Sequence, residues 1–427
     1  MAGFLVIVVT AAAIILHNRK PGENEADEIY NLNASLVNSE VPELEAMDRR
    51  FEKFLRQWGI HGASLAITRN DSLIYVKGYG ESDSLEAIRP GTLFRLASVS
   101  KLLTATGIML LEERDSLSLD DRIFGPDGIL EDENYASFIS DKRYYDITVN
   151  DLLRHTSGLS SRGGDPLFPG KDFLLRHRWT HAPDRDSLLR AILKSRLRRS
   201  PGTQAEYSNL GYLLASLVIE KITGEPYEQW MQANVLKPCG CIDFHIARNY
   251  ETERLPGETK YYCHSQDTLC PKIDGSGELV PRCYGGSDVT ALSGAGAWVA
   301  SSAELARFVC CIDRLPEIPD LLEESGVCRM TLPTDVGTFG LGWNDITENG
   351  EWTRTGTLSS TSALIKVYPD GECWIMVTNT GTWKGARFTR YIASLFKRSR
   401  EDFSSLLPSV NLFERPPVNE NPSLDKR

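Results

Sequence analysis

Ser98 and Lys101 stand three residues apart in the stretch "RLASVSKLLTA", Arg95 to Ala105. If a helix begins near Ser98, residues at that spacing share a face, and hydroxyl and amine become neighbours. Free backbone N–H groups and the macrodipole at a helix start favour negative charge developing on the serine oxygen. A lysine amine acts as a base only when burial or a nearby cation lowers its pKa. Leu96, Leu102 and Leu103 supply apolar surroundings for that. The chemistry open to such a pair is nucleophilic: the serine attacks a carbonyl and carries the acyl group. Ser100 points about 100° away from Lys101 and cannot share its face, so it is expected to pack or hydrogen-bond nearby. By itself the tetrad also describes a capping serine followed by an exposed lysine.

Two downstream segments change its weight. "PGTQAEYSNLGYLLA" puts Tyr207 and Asn209 on a loop directly before a helical patch, and "WTRTGTLSSTSALIKVY" puts Arg354, Thr355 and Gly356 just before an apolar strand. With these the chain resembles the serine hydrolases of the β-lactamase and penicillin-binding-protein superfamily, in the branch of class C β-lactamases, D-alanyl-D-alanine carboxypeptidases and related esterases. That branch carries S-x-x-K, then Y-x-N, then K-T-G or H-x-G. The likeness runs from about Trp58 to Lys397 and includes "ITVNDLLRHTSGL", "GAGAWVASSAELARF" and "FGLGW".

The resemblance implies roles for particular residues. Ser98 is the nucleophile, Lys101 activates it, and Tyr207 shuttles protons to the leaving group and from water. Asn209 hydrogen-bonds the substrate and orients Lys101, and Arg354, Thr355 and Gly356 form a substrate-binding strand. The oxyanion hole is the backbone N–H pair of Ser98 and Thr357. Arg354 departs from the lysine or histidine usual there. Its permanent cation can hold a substrate carboxylate bidentately but does not readily release a proton; the alternative is a structural salt bridge. His155, in "HTSG", is expected in a structural turn near the cleft, and Trp298 in the core. The implied substrate is an amide or ester, such as a cell-wall-derived D-alanyl peptide or a small ester. A β-lactamase proper is one alternative, and a non-catalytic penicillin-recognising sensor or scaffold is another.

Several elements must position these residues. Leu44, Met47, Phe51, Leu55 and Trp58 recur at helical spacing after Pro42. In "ASLAITRNDSLIYVKGYG" two β-rich runs flank Arg69-Asn70-Asp71-Ser72, a hairpin signal. The middle, about 95 to 330, reads as helical patches; Leu210 to Ile222 is closed by Gly224. The end returns to strands around Pro369-Asp370-Gly371, and Phe388, Ile392, Leu395 and Phe396 mark a closing helix. The expected fold is α+β. The terminal hairpins join one antiparallel sheet, the N- and C-terminal helices cover a face, the middle forms an all-helical lobe, and the site lies in the cleft between.

The bulk composition removes other classes. A net charge of −11 over 427 residues argues against a nucleic-acid binder. There is no G-x-S-x-G elbow and no H-E-x-x-H pair, and the reading carries no cofactor and no metal. Five of the nine cysteines fall between Cys239 and Cys283, with neither a CxxC pair nor a ligand spacing around His264. They are open to disulfides in an oxidising compartment or to buried thiols, with an odd one left over. The apolar run Ala2 to Leu16 is shorter than the ~20 residues a spanning helix needs. It resembles a signal-peptide apolar region in length, although its only basic flank, Arg19-Lys20, follows it. The expectation is a periplasmic or extracytoplasmic protein whose residues 2–16 are either cleaved or retained as a membrane attachment; a cytoplasmic protein is the alternative. Residues 1–20 would be a signal or anchor, 21–40 a linker, 41–400 the hydrolase domain, and 401–427 a disordered tail.

Overall fold

The hairpin expected at Arg69 to Ser72 closes on two residues, Asn70 and Asp71, whose φ values are 47° and 61°. That left-handed pair matches the twist of the strands it joins. The computed structural model describes residues 31–414, apart from 84–85, 132, 162–163, 170 and 265–268. The N-terminal apolar segment and residues 415–427 lie outside the described residues. Five strands carry the sheet: β1 (Gly62–Arg69), β2 (Ser72–Asp83), β3 (Trp352–Leu358), β4 (Thr361–Val367) and β5 (Glu372–Thr378). β1 pairs antiparallel with both β2 and β5, setting Ala63 opposite Thr378 and Arg69 opposite Glu372. Short strands at Glu86–Ala87 and Asp345–Ile346 extend the two edges into a seven-stranded sheet. The chain's two ends therefore meet in one sheet, as the sequence pattern implies.

Five helices matter most for the site: α1 (Glu45–Trp58), α2 (Ser100–Glu113), α3 (Asn209–Thr223), α4 (Ser302–Val309) and α5 (Thr389–Phe403). Alternation along a strand sorts their partners. Ala63, Leu65 and Ile67 of β1 face one core with Phe51 and Leu55 of α1, Leu395 and Phe396 of α5, and Trp374 of β5. Burying each such side chain is worth about 1.5–3 kcal/mol. Ser64 faces the other way, where its hydroxyl lies 2.7 Å from that of Ser302 on α4. On that second face the helical lobe is built around α2 and α3. Ser100 to Leu111 of α2 are all buried, which explains why this helix has no polar stripe in sequence.

Two boundaries differ from expectation. Within the presumed linker, Leu32–Ser35 is helical, Leu32 is buried, and Asn33 donates to Asp243 at 2.9 Å. Within the presumed tail, α5 continues to Phe403, Leu407 and Phe413 are buried, and Leu412 N–H donates to the Leu73 carbonyl at 2.8 Å. A few apolar anchors fix these stretches, and average composition hides them. Among the described residues no helix is long and apolar enough to cross a membrane.

Candidate active site

From Leu93 to Ser100 every residue is buried except Ser98. Phe94–Arg95 pairs with Trp298–Ala300, and the Leu96 N–H donates to the Trp298 carbonyl at 2.8 Å, so the approach to the turn is fixed. Ala97 then takes φ 50°, a left-handed step rare outside glycine. It swings the chain into a 3₁₀ turn, Ala97–Val99, that runs directly into α2. Ser98 thus stands half-buried at the helix start. Lys101 Nζ lies 3.2 Å from Ser98 Oγ, as the three-residue spacing requires. Ser100 is fully buried and accepts the Trp298 N–H at 3.1 Å. Trp298 is core, its indole N–H donating to the Tyr227 hydroxyl at 2.9 Å.

Lys101 also donates to Asn209 Oδ1 at 2.6 Å and to the Ala295 carbonyl at 2.5 Å. A neutral amine has two N–H bonds and one lone pair. With both hydrogens directed at Asn209 and Ala295, the lone pair faces the Ser98 hydroxyl. Burial, helped by the Arg354 cation and opposed by Tyr207 and Asp165, lowers the Lys101 pKa to about 8. The Tyr207 hydroxyl reaches Ser98 Oγ at 2.7 Å. Burial pushes this phenol up, but the Lys101 and Arg354 cations outweigh it and hold the pKa below the usual tyrosine value. Two titratable groups with lowered pKa values therefore converge on one serine oxygen.

Asn209 opens α3, capped by Ser208, whose hydroxyl accepts the Gly211 N–H at 3.2 Å. Its Nδ2 donates to Asp165 at 2.6 Å, which turns Oδ1 toward Lys101. Asp165 is a site residue that sequence reading missed. It lies in the Gly- and Pro-rich "RGGDPLFPG", and nothing in that stretch marks it out. His155 lies under Tyr207 with ring centroids 4.5 Å apart, and its Nδ1 accepts the Ser208 N–H at 3.2 Å. Burial, then the Lys101 and Arg354 cations, push its pKa well below the usual imidazole value. A neutral ring that supports Tyr207 agrees with the expected structural turn.

β3 closes the site from the other side. Gly356 touches the turn backbone to backbone: a Cβ there would lie 2.2 Å from the Leu96 carbonyl oxygen and 3.0 Å from the Ser98 nitrogen. Only glycine permits that approach. The Thr355 N–H and hydroxyl both donate to Asn344 Oδ1, at 2.7 and 3.1 Å, so this amide leaves the strand on the side away from β4. The Thr357 N–H, two residues on, leaves by the same edge. The two expected oxyanion donors thus belong to the backbones that Gly356 holds together.

Arg354 departs from both expectations. Its register opposite Ile365, which faces Ile375 and Ala66, turns the side chain toward the helical lobe. There it is fully buried; Nε donates to the Ser98 carbonyl at 2.8 Å and Nη2 donates to the same oxygen. Nη1 is buried without an acceptor. The fork that would clasp a carboxylate is spent on the backbone of Ser98, so a bidentate grasp is not available, and no salt bridge replaces it among the described residues. The physical reason is reach: from an inward strand position beside the turn, the guanidinium meets that carbonyl first.

The family profile described as Beta-lactamase matches residues 47–395. The chain belongs to the beta-lactamase family. A Bacillus subtilis (strain 168) protein carrying the name penicillin-binding protein PbpX is 23% identical over 391 residues, covering 88% of each chain. The fold is similar to that of the D-amino acid amidase from Ochrobactrum anthropi SV3, with TM-score 0.64 and 18% identity over 84% of this chain and 99% of that one. It is also similar to a class C beta-lactamase, with TM-score 0.63 and 19% identity over 84% and 96%. The chain is thus a beta-lactamase-family serine hydrolase, and the antiparallel sheet with its helical lobe is that family's architecture.

Proposed function

We propose that this beta-lactamase-family hydrolase works through an acyl-enzyme on Ser98, cleaving an amide or ester. The observation that carries this reading is the convergence of Lys101 and Tyr207 on Ser98 Oγ, at 3.2 and 2.7 Å. Neutral Lys101 takes the hydroxyl proton as Oγ attacks the carbonyl carbon. The N–H groups of Ser98 and Thr357 receive the oxyanion. Tyr207 gives its proton to the leaving nitrogen or oxygen as that bond breaks, and the Lys101 ammonium reprotonates Tyr207. Water then attacks the ester along the reverse path and frees Ser98. His155 and Asp165 position Tyr207 and Asn209 and touch no reacting atom.

The substrate class we favour is a D-alanyl peptide of cell-wall origin or a small ester. Arg354 weighs toward the ester within that class: with its fork on the Ser98 carbonyl, it is not free to clasp the terminal carboxylate that a D-alanyl peptide presents. An extracytoplasmic location with attachment through residues 2–16 belongs to the same proposal. A β-lactamase proper is the second reading, favoured by the presence of Ser98, Lys101, Tyr207 and Asn209 together in the class C-like fold. Both are tested by adding a labelled penicillin or a fluorophosphonate and following intact mass. A mass gain that Ser98→Ala abolishes supports the acyl-enzyme; no gain leaves a non-catalytic recognition protein. Rapid turnover of a cephalosporin selects the β-lactamase, and a long-lived penicilloyl adduct selects the peptidase or esterase.

A further inference from the structure

A second cluster lies away from the catalytic residues, beside the turns that join β1 to β2 and β4 to β5. Asp71, Cys310 and Asp313 bring one carboxylate oxygen, one thiol sulfur and a second carboxylate oxygen within 4.8 Å of one another. Asp71 is the second residue of the β1–β2 turn and is only 1% exposed. Its Oδ2 accepts the backbone N–H groups of Glu317 and Ile318 at 3.1 and 3.0 Å. Those two bonds fix the carboxyl plane and leave Oδ1 buried with no N–H donor, facing only the Cys310 thiol and the Asp313 carboxyl. Two carboxyl groups buried side by side are costly unless their charge is neutralised, and no lysine or arginine forms an ion pair with Asp71 or Asp313 among the described residues.

The other two ligand atoms are also held from outside. Cys310 is fully buried at the C-terminal end of α4. Asp313 follows on a loop that Asp320 pins by accepting the Asp313 N–H at 3.0 Å and the Arg314 N–H at 3.1 Å. The Leu315 N–H donates to Asp313 Oδ1 at 2.9 Å. A cavity of about 380 Å³, bordered by Asp313, Trp352, Tyr368 and Cys373, reaches the cluster on its Asp313 side.

We propose that Asp71, Cys310 and Asp313 form a structural site for a divalent cation, with Zn²⁺ the best match. A soft thiolate and two carboxylates are all donors that the borderline Zn²⁺ ion takes, and water entering beside Asp313 supplies a fourth, tetrahedral ligand. The dication neutralises two of the three anionic donors, and binding displaces the Cys310 thiol proton to solvent. Asp320 acts from the outer shell by orienting the Asp313 loop. The ion would tie the β1–β2 turn to the segment after α4. A proton shared between Asp71 and Asp313 is the competing way to neutralise the cluster.

The test uses the full chain, dialysed against a chelator and titrated with Co²⁺, reading thiolate-to-cobalt charge-transfer absorption in the near ultraviolet. One equivalent of Co²⁺ should produce the band, and Zn²⁺ should displace it and raise Tm. Cys310→Ser should abolish the band. Asp313→Asn should weaken binding by at least the roughly 10-fold to 100-fold that loss of an outer-shell partner costs. Ser98 labelling by a fluorophosphonate should be unchanged in Asp313→Asn. Absence of the band and of any Zn²⁺ effect on Tm overturns the site in favour of the shared proton. A band that survives Asp313→Asn at full affinity also overturns it, because other cysteines would then be the ligands. Asp313 is only partly buried, so that comparison holds even where Cys310→Ser fails to fold.

Discussion

Arg354 grips Ser98 from behind: its guanidinium Nε donates to the main-chain carbonyl of Ser98 at 2.8 Å, and Nη2 to the same oxygen. The strand residue expected to meet the substrate meets the backbone of the proposed nucleophile instead. This cation is fully buried, so its field acts at close range on Lys101 and Tyr207, both of which it lowers. Replacing it separates the hydrogen bonds from the charge. Arg354→Lys keeps the cation and loses the planar fork; we expect about a tenfold fall in the acylation rate. Arg354→Ala loses both, and the expected fall is roughly 10²–10³-fold, the scale of removing a preorganised polar group at a reacting centre. Stopped-flow acylation with a chromogenic ester measures both. Equal rates for the lysine variant and the parent would mean that the fork is incidental.

The Lys101 pKa sets a pH dependence whose sign follows from its role. The amine is the base only when neutral, and burial lowers its pKa to about 8. Below that pH the ammonium dominates, so kcat/KM should rise about tenfold per pH unit through neutrality and level off above 8. In Arg354→Ala a lowering influence is gone, so the rising limb should move to higher pH. His155 is held neutral across this range, so no second limb is expected near pH 6–7. A parent limb at the ordinary imidazole value would contradict this assignment of the base.

Gly356 sits where strand and nucleophile turn touch. A methyl group there would meet the Leu96 carbonyl oxygen at 2.2 Å and the Ser98 nitrogen at 3.0 Å. Neither backbone is free to yield, because Leu96 is tied to Trp298 and β3 to β4. Gly356→Ala should cost about 1–3 kcal/mol in stability, as overpacking does, and should nearly abolish acylation by parting the Ser98 and Thr357 amides. Urea unfolding and intact-mass labelling read the two effects separately. A variant that is destabilised yet acylates at the parent rate would remove these amides as the oxyanion donors.

What sequence made legible follows from which interactions are local. Ser98 and Lys101 share a helical face by spacing alone, and the 3.2 Å contact follows directly. The Asn70-Asp71 turn and the terminal helices were readable because turn chemistry and hydrophobic periodicity are written in neighbouring residues. Arg354 was not readable. Its type and position on a strand are evident, but whether the fork meets a substrate or the Ser98 carbonyl depends on how close the turn lies, which Gly356 decides from two residues away. Asp165 and the Asp71, Cys310 and Asp313 cluster escaped for a related reason. Each gains its surroundings only when segments far apart in the chain come together, and a single aspartate in a loop has no signature.

Asp165 supplies the complementary test, because its charge acts on Lys101 with the opposite sign to Arg354. Its carboxylate accepts Asn209 Nδ2 at 2.6 Å and so directs Asn209 Oδ1 to Lys101, and it also raises the lysine pKa. Asp165→Ala removes both effects. The Asn209 amide becomes free to turn, and kcat should fall about tenfold, less than the roughly 10²–10⁴-fold that a proton-transferring group itself contributes. At the same time the rising pH limb should move to lower pH, because an anion near the ammonium has gone. Asp165→Asn keeps an oxygen that can accept the Asn209 N–H but carries no charge. It should recover most of the rate while retaining the shifted limb. A purely structural role for this loop would lower the rate in both variants and leave the limb where it stands in the parent, so the pair of pH profiles decides between the two.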